Sequence, residues 1–395
     1  DTDPGQDDAV AILLALASPE DVTVLGITAV AGNVPLPLTE MNARIVCELA
    51  GKPETRVFAG CDAPLVRKLV TAEHVHGKTG LDGPQMDAPT MALQAQHGVD
   101  FIIDTLRSHA AGTVTLCPLG PLTNIATAFT KAPDIIEKVQ EIVLMGGAYF
   151  QVGNITPAAE FNIYVDPEAA KIVFDAGVPL VVMPLDVTHQ ALTTQPRVDA
   201  FRAMGTKVGD MVAAWTNFFE RFDKEKYGSE GAPLHDPCVI AYLIQPDLFT
   251  GRHVNVEIET VSELTLGMTV ADWWRVTGRA PNAMFMGGLN ADGFFALLAD
   301  RLPQRAPLGY VLVTFGWSVD LGGMIGWVEE MFIRPSVRSR GIGTEVLHAV
   351  AVSLGQVDIR ALHVRVGDDA RLVRFCAKVG FSRTADLRVM TDLLP

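Results

Sequence analysis

DTDPGQDDAVAILLAL, residues 1–16, carries the reading of the whole chain. Asp1, Asp3, Asp7 and Asp8 fall within eight residues. Pro4 and Gly5 force a turn between them, and Asp8 opens an apolar helical stretch that runs to about Ala17. Four carboxylates this close repel one another unless a cation or protons compensate. A turn that aims them into one crevice suits Ca2+ or Mg2+, hard cations that take oxygen ligands. Helix capping is the competing explanation, because aspartate is common in the first helical turn. Capping accounts for one or two of the four, not for four around a Pro-Gly turn. No apolar strand stands ahead of Asp1, and the first residue is not Met. The numbering is therefore expected to begin inside a longer protein, or the chain to be a fragment.

Working outward, apolar β-rich runs alternate with helical patterns. Strand-like Val22–Ala31 precedes an amphipathic stretch from about Thr39 to Ala50. Thr113–Pro118, Ile142–Met145 and Leu180–Pro184 read as buried strands, with helical stretches near Pro121–Thr130 and Pro167–Asp175 between them. Such alternation implies an α/β domain of βαβ units with a mostly parallel sheet. Ligands then gather at the carboxyl ends of the strands.

The character changes near Asp300. Asp300–Pro307 holds two prolines and three charged side chains and reads as a linker, giving domains 1–303 and 308–395 joined by residues 304–307. Residues 1–303 carry 20 Lys and Arg against 37 Asp and Glu, a net −17, whereas residues 304–395 carry 11 against 9, a net +2. Opposite signs suggest two modules with different ligands. The second module opens on alternating strands, Tyr310–Trp317 and Met324–Ile333. A basic, glycine-containing turn, a helix, a strand at Arg360–Val366 and another helix follow.

Composition excludes several function classes. With 395 residues, 49% hydrophobic and 19% charged, the chain can bury a large core and is not disordered. It contains no run of about 18 uncharged apolar residues, so a spanning helix is not expected, nor is a membrane partner. No basic-then-apolar leader is visible. A net charge of −15 argues against a nucleic-acid partner bound by phosphate neutralisation. The five cysteines form no CxxC pair and are odd in number, which argues against a disulfide framework or zinc cluster and fits a reducing cytoplasm.

The acidic cluster has company. Downstream, in order, come VAGN ending at Asn33, PLGPLTN at Pro118–Asn124, MGGA at Met145–Ala148, GNITPAAEFNIYVDPEAA at Gly153–Ala170 and APLHDP at Ala232–Pro237. Together with TVADWWRVTGRAPNA near the end, this series resembles the inosine–uridine preferring nucleoside hydrolase family over about residues 1–303. The resemblance implies that family's fold, a mostly parallel, Rossmann-like sheet flanked by helices. It also implies Ca2+-dependent hydrolysis of the N-glycosidic bond of ribonucleosides to ribose and free base, in nucleoside salvage. Asp3, Asp8 and Asp236 would hold the ion through carboxylates, and Leu119 through its backbone carbonyl. Asp3 would also be the general base on the attacking water. Asp7 and Asn162 would bond the ribose 2′- and 3′-hydroxyls, Asn33 would help hold the sugar or the water, and Asn154 and Glu160 would take the 5′-hydroxyl. The family also implies a homodimer or homotetramer.

These residue types suit the chemistry. The bond breaks through an oxocarbenium-like ribosyl cation, which carboxylates and amide oxygens stabilise. His235, beside Asp236, is placed to protonate the departing base; a purely structural histidine is the alternative. His76, in HGKTGLDG, either contacts the base from a mobile lid or belongs to a surface turn. His74 reads as surface. Phe222 and Tyr227 line the base pocket or pack in the core. A scaffold that senses ribosides without turnover is the competing reading from another class.

EEMFIRPSVRSRGIGTEVL, with RSRGIG at Arg338–Gly343, and GDDARLVRFCAKVGF give residues 308–395 a different resemblance. They look like the latter part of a GCN5-related N-acetyltransferase (GNAT), a small truncated α+β module. Backbone N–H groups of such a turn can cradle a pyrophosphate. The resemblance implies that Arg338, Arg340, Gly341 and Gly343 hold CoA or acetyl-CoA. The family's first strand and two helices have no counterpart after the linker. Cys376 falls where a general-acid tyrosine is usual, Asp369 where an asparagine is expected, and Glu329 or Glu330 could serve as base. The expectation is reduced or absent acetyl transfer, with a bifunctional hydrolase/N-acetyltransferase as the alternative.

Overall fold

The first helix, Gln6–Leu16, is buried along nearly its whole length, Gln6, Asp7 and Asp8 included. A helix apolar on all sides belongs in a core, so its three polar residues must be satisfied from within the fold. The structure is a computed structural model that describes residues 1–228, 230–303, 309–333, 335, 338, 340–366 and 370–382, with the side chains of 222–227 outside that description. The chain divides into two compact units, Asp1–Gln304 and Arg305–Pro395.

In the first unit, β1 (Ile27–Ala29) pairs in parallel with β2 (Val57–Ala59). A five-stranded sheet is built from β3 (Val114–Leu116), β4 (Val139–Met145), β5 (Leu180–Met183), β6 (Phe249–Val254) and a later strand, Ala283–Leu289. Between those last two lie β7 (Val256–Ile258) and β8 (Thr269–Ala271), an antiparallel pair, which makes Ala283–Leu289 β9. The order is β3-β4-β5-β9-β6, parallel except for the antiparallel edge strand β6. Side chains alternate across the strands. Val143, Met145, Val181 and Met183 therefore join one core layer, with the first helix. Ile142, Leu144, Leu180 and Val182 join the other, with helices Gly98–Ser108 and Thr123–Lys131. Burial on both faces is what the unbroken apolar strands foretold.

Residues 1–3 link the two parallel systems. Thr2 N–H donates to Thr28 O at 2.9 Å and Thr2 O accepts from Val30 N at 3.0 Å, while Leu119 N–H donates to Asp1 O at 2.8 Å. Asp3 is thus fixed between the ends of β1 and β3.

Several elements differ from their sequence reading. Of Val22–Ala31, only Ile27–Ala29 is strand, because only those three residues find a partner in β2. The sequence reading places no strand at the antiparallel β6 edge or the β7–β8 pair; β7 and β8 are three residues each, and β6 carries polar Thr250, Arg252 and His253. Helix Pro167–Asp175 matches its expected bounds.

In the second unit, β10 (Gly309–Ser318) pairs antiparallel with β11 (Gly323–Ile333), with a bulge between Leu312 and Val313. β12 (Ala361–Val364) runs parallel to β11. Helices Ile342–Gln356 and Ala370–Val379 accompany the sheet, and among the described residues Ile325, Val328, Leu347 and Cys376 are the buried apolar side chains of this unit. The expected linker 304–307 and Asp369 lie outside the described residues. Among the described residues, no helix is long and apolar enough to cross a membrane.

Candidate active site

The carboxyl ends of the parallel strands supply the site. Asn33 follows β1, Leu119 follows β3, Met145 ends β4, and Thr188 and His189 follow β5. They meet the turn before the first helix. Asp3, Asp7, Asp8 and Asp236 are all buried. One carboxylate oxygen from each of Asp7, Asp8 and Asp236 lies within 4.8 Å of the others. That trio has Asp7 where the sequence reading had Asp3. Asp1, the fourth acid of the opening stretch, is not in the crevice; its Oδ1 accepts from Asn124 Nδ2 at 3.1 Å.

Asp3 is held by other means. Its Oδ2 accepts from Asn33 N–H at 2.7 Å, and its Oδ1 is buried with no hydrogen-bond partner. Gly32 and Gly120 make room for this carboxylate, since a Cβ at either position would collide with it. Asp8 accepts from Thr2 Oγ1 at 2.5 Å and from Gly5 N–H at 2.9 Å. The second bond is the capping role that the first helical turn favours, so Asp8 caps the helix and faces the cluster. Asn33 Nδ2 donates to Asp3 O at 3.1 Å and to Asp8 Oδ2 at 3.3 Å, so its amide braces the acids.

The electrostatics are unbalanced. Burial, then the Asp8 charge, pushes Asp3 well above the usual carboxylate range. Burial does the same to Asp236, reinforced by Asp7, Asp8 and Asp3, and burial also raises Asp8. Among the described residues no Lys or Arg pairs with Asp3, Asp8 or Asp236. Buried charges of one sign need a cation or protons. An orphaned buried carboxylate oxygen beside three clustered acids is an all-oxygen donor set, and it fits a hard divalent ion.

Above the acids opens a cleft of about 420 Å3. Asp7, Asn33, His76, Leu119, Asn154, Glu160, Asn162, His235 and Asp236 all line it; Asp3 and Asp8, both buried, do not. Asn162 Nδ2 donates to Leu119 O at 2.6 Å and to Met145 O at 3.2 Å. Glu160 caps helix Phe161–Val165 through Asn162 N–H (3.0 Å) and Ile163 N–H (3.3 Å), and also accepts from Gly147 N–H at 3.0 Å. Burial nevertheless raises it to about 7. Asn154 Oδ1 accepts from Phe161 N–H at 2.9 Å.

His235 Nδ1 lies 2.7 Å from Thr188 Oγ1, its ring 5.7 Å from that of His189. Burial, then neighbouring histidines, lowers its basicity well below the ordinary value. His76 is buried on the short helix Glu73–His76, so the surface-turn reading does not hold. The following loop is tied down by Asp82, which accepts from Lys78 N–H at 3.0 Å and Thr79 N–H at 3.2 Å. His74 is exposed, as expected, yet reaches the cleft mouth. The side chains of Phe222 and Tyr227 lie outside the described residues. Sequence reasoning missed Thr188, His189 and Phe219. The first two follow a buried parallel strand, which was the available signal.

In the second unit, Arg338 turns back to the end of β11, with Nε donating to Ile333 O at 2.7 Å. Gly341 starts helix Ile342–Gln356 at φ +90°, a left-handed conformation that favours glycine. Tyr310 OH donates to Glu330 at 2.6 Å and Thr314 Oγ1 to Glu329 at 2.9 Å.

Comparisons with known proteins agree with this geometry. Residues 1–296 match the family described as inosine-uridine preferring nucleoside hydrolase, and residues 266–381 match the acetyltransferase (GNAT) family. A Schizosaccharomyces pombe protein described as uncharacterized is 51% identical over 302 residues, covering 76% of this chain and 97% of its own. The pyrimidine-specific ribonucleoside hydrolase RihA of Escherichia coli K12 is 48% identical over 303 residues, covering 76% and 96%. The solved purine-preferring ribonucleoside hydrolase from Gardnerella vaginalis superposes with a TM-score of 0.72 at 32% identity, over 77% of this chain and 96% of that one.

Proposed function

The chain belongs to the inosine-uridine preferring nucleoside hydrolase family, and from that premise we propose that it is a Ca2+-dependent ribonucleoside N-ribohydrolase working in cytoplasmic nucleoside salvage. The observation that carries the reading is the buried carboxylate cluster, with no Lys or Arg paired to Asp3, Asp8 or Asp236 among the described residues, under a cleft lined by amide and carboxylate side chains. Asp3, Asp8, Asp236 and the Leu119 carbonyl would hold the ion. Bound there, Ca2+ would anchor the ribose diol and acidify water.

The side chains then divide the work. Asp7 and Asn162 take the 2′- and 3′-hydroxyls, and Asn154 and Glu160 the 5′-hydroxyl. The Asp3 Oδ1 lone pairs, which no donor among the described residues uses, accept the proton of the attacking water. The ribosyl cation forms among carboxylates, where its positive charge is favoured. His235 delivers a proton to the departing base from the minor imidazolium form of its ring, which returns to neutral imidazole; the lowered basicity makes that form a strong acid. Thr188, whose hydroxyl can donate or accept, holds the Nδ1 end of that ring and leaves the cleft end free.

The test is release of reducing sugar from inosine, uridine and cytidine, with Ca2+ and after chelation. Calcium-dependent ribose is the expected result. Tight nucleoside binding without any ribose would replace the enzyme by a riboside sensor.

A further inference from the structure

Gln6 is buried in the first turn of the first helix, beside the acids but not among them. Its Nε2 donates to two backbone carbonyls, His76 O at 3.0 Å and Asp82 O at 3.1 Å. Both acceptors can only accept, so the amide orientation is fixed. The opposite end, Oε1, then lies 2.7 Å from His76 Nδ1 and can also only accept. The proton on the His76 ring must therefore sit on Nδ1. In a neutral imidazole this makes Nε2 a lone-pair acceptor. The ring is neutral at ordinary pH, because burial, then the His74 charge, lowers it to about 3. Nε2 has no hydrogen-bond partner among the described residues, and His76 lines the cleft. Gly5 and Phe219 confine the ring. A Cβ at position 5 would collide with it, and the Phe219 ring centre is 5.4 Å away.

We propose that Gln6 is a positioning residue that locks His76 in its Nδ1–H tautomer, so that His76 Nε2 selects nucleosides whose base offers an N–H or amino donor. This rests on the hydrolase reading. It also separates the two histidines. His76, locked as an acceptor, reads the base. His235, whose Thr188 partner permits either tautomer, is left to give the proton.

The first experiment needs no turnover, and a variant only to assign the signal. A two-bond 1H–15N spectrum of the calcium-loaded full chain, assigned with His76→Gln, shows which ring nitrogen carries the proton. Nδ1–H at neutral pH is expected; Nε2–H or a doubly protonated ring overturns the proposal. The second compares kcat and KM for uridine and N3-methyluridine in wild type and Gln6→Leu. The variant is expected to lose about tenfold of the preference for uridine, the worth of roughly one buried hydrogen bond, mainly in KM, with unchanged calcium affinity by calorimetry. An unchanged preference, or equal losses on both substrates, overturns it. If wild type releases no ribose at all, the hydrolase reading fails, while the tautomer spectrum still decides the role of Gln6.

Discussion

Asn162 Nδ2 lies 2.6 Å from the carbonyl oxygen of Leu119, so a side chain expected to reach the ribose also steadies the backbone atom expected to meet the ion. A carbonyl oxygen has two lone pairs and can serve both. On those expectations one amide would join the sugar side and the ion side of the site.

Asn162→Ala should weaken both at once. Leu119 O and Met145 O lose a buried donor, a cost of about 1–3 kcal/mol. Calcium affinity measured by calorimetry should fall about tenfold or more, with KM rising alongside. A rise in KM with calcium affinity untouched would confine Asn162 to the sugar.

Asp7 and Asp8 are neighbours with different surroundings. Asp8 is buried and does not line the cleft, bonded to Thr2, Gly5 and Asn33, whereas Asp7 lines the cleft itself. Asp8→Ala is expected to abolish activity and calcium binding together. Asp7→Ala should spare much of the ion binding but raise KM by about a hundredfold, as a lost charged hydrogen bond would. Equal loss of calcium in both variants would make Asp7 a ligand, as its place in the carboxylate trio permits.

Much of this site could be read from the chain because its residues sit in short, ordered motifs. Asn33, Leu119 and Asn162 each follow a strand or open a helix, Asp3 stands in the turn just before one, and such strand-and-turn patterns survive in sequence. Thr188 and His189 escaped because a histidine after a strand looks like any other until Thr188 is seen 2.7 Å from His235. Gln6 escaped for a deeper reason. Its three partners on His76 and Asp82 lie some seventy residues away, and loop closure over that distance leaves no periodic trace. The same holds for the β6 edge, whose antiparallel pairing with β9 is a tertiary fact.

Glu160 should leave a mark on the pH dependence of stability. Burial raises it from 4.5 to about 7, against the pull of the Asn162 and Gly147 N–H groups. A folded-state value above the unfolded one means that the native protein binds the extra proton. Its stabilising effect is complete below about 4.5 and is lost as pH rises through about 7, with a ceiling of about 3 kcal/mol. Glu160→Gln cannot titrate. Urea midpoints taken from pH 4.5 to 7.5 should therefore fall less steeply for the variant than for wild type. Parallel curves would assign the slope to other groups.

The second unit is expected to transfer no acetyl group. Arg338, which would add charge to a pyrophosphate cradle, spends its Nε on Ile333 O and stacks toward Phe332. Cys376, at the position of a proton donor, is buried, and burial raises its thiol. Glu330 and Glu329 are engaged by Tyr310 and Thr314, so neither stands ready as a base. Transfer also needs an acceptor held against the thioester, and among the described residues β10 alone flanks β11 on that side of the sheet. Labelled acetyl-CoA offered with a mixed amine library should leave all label on CoA. If the turn that ends at Gly341 still cradles a pyrophosphate, CoA should bind weakly, and Gly341→Glu should remove that binding. Label transfer that vanishes in that variant would show a working acetyltransferase instead. Because every residue of the carboxylate site lies within Asp1–Gln304, ribose release should survive removal of residues 309–395 with kcat within about twofold, a change of only about 0.4 kcal/mol in barrier.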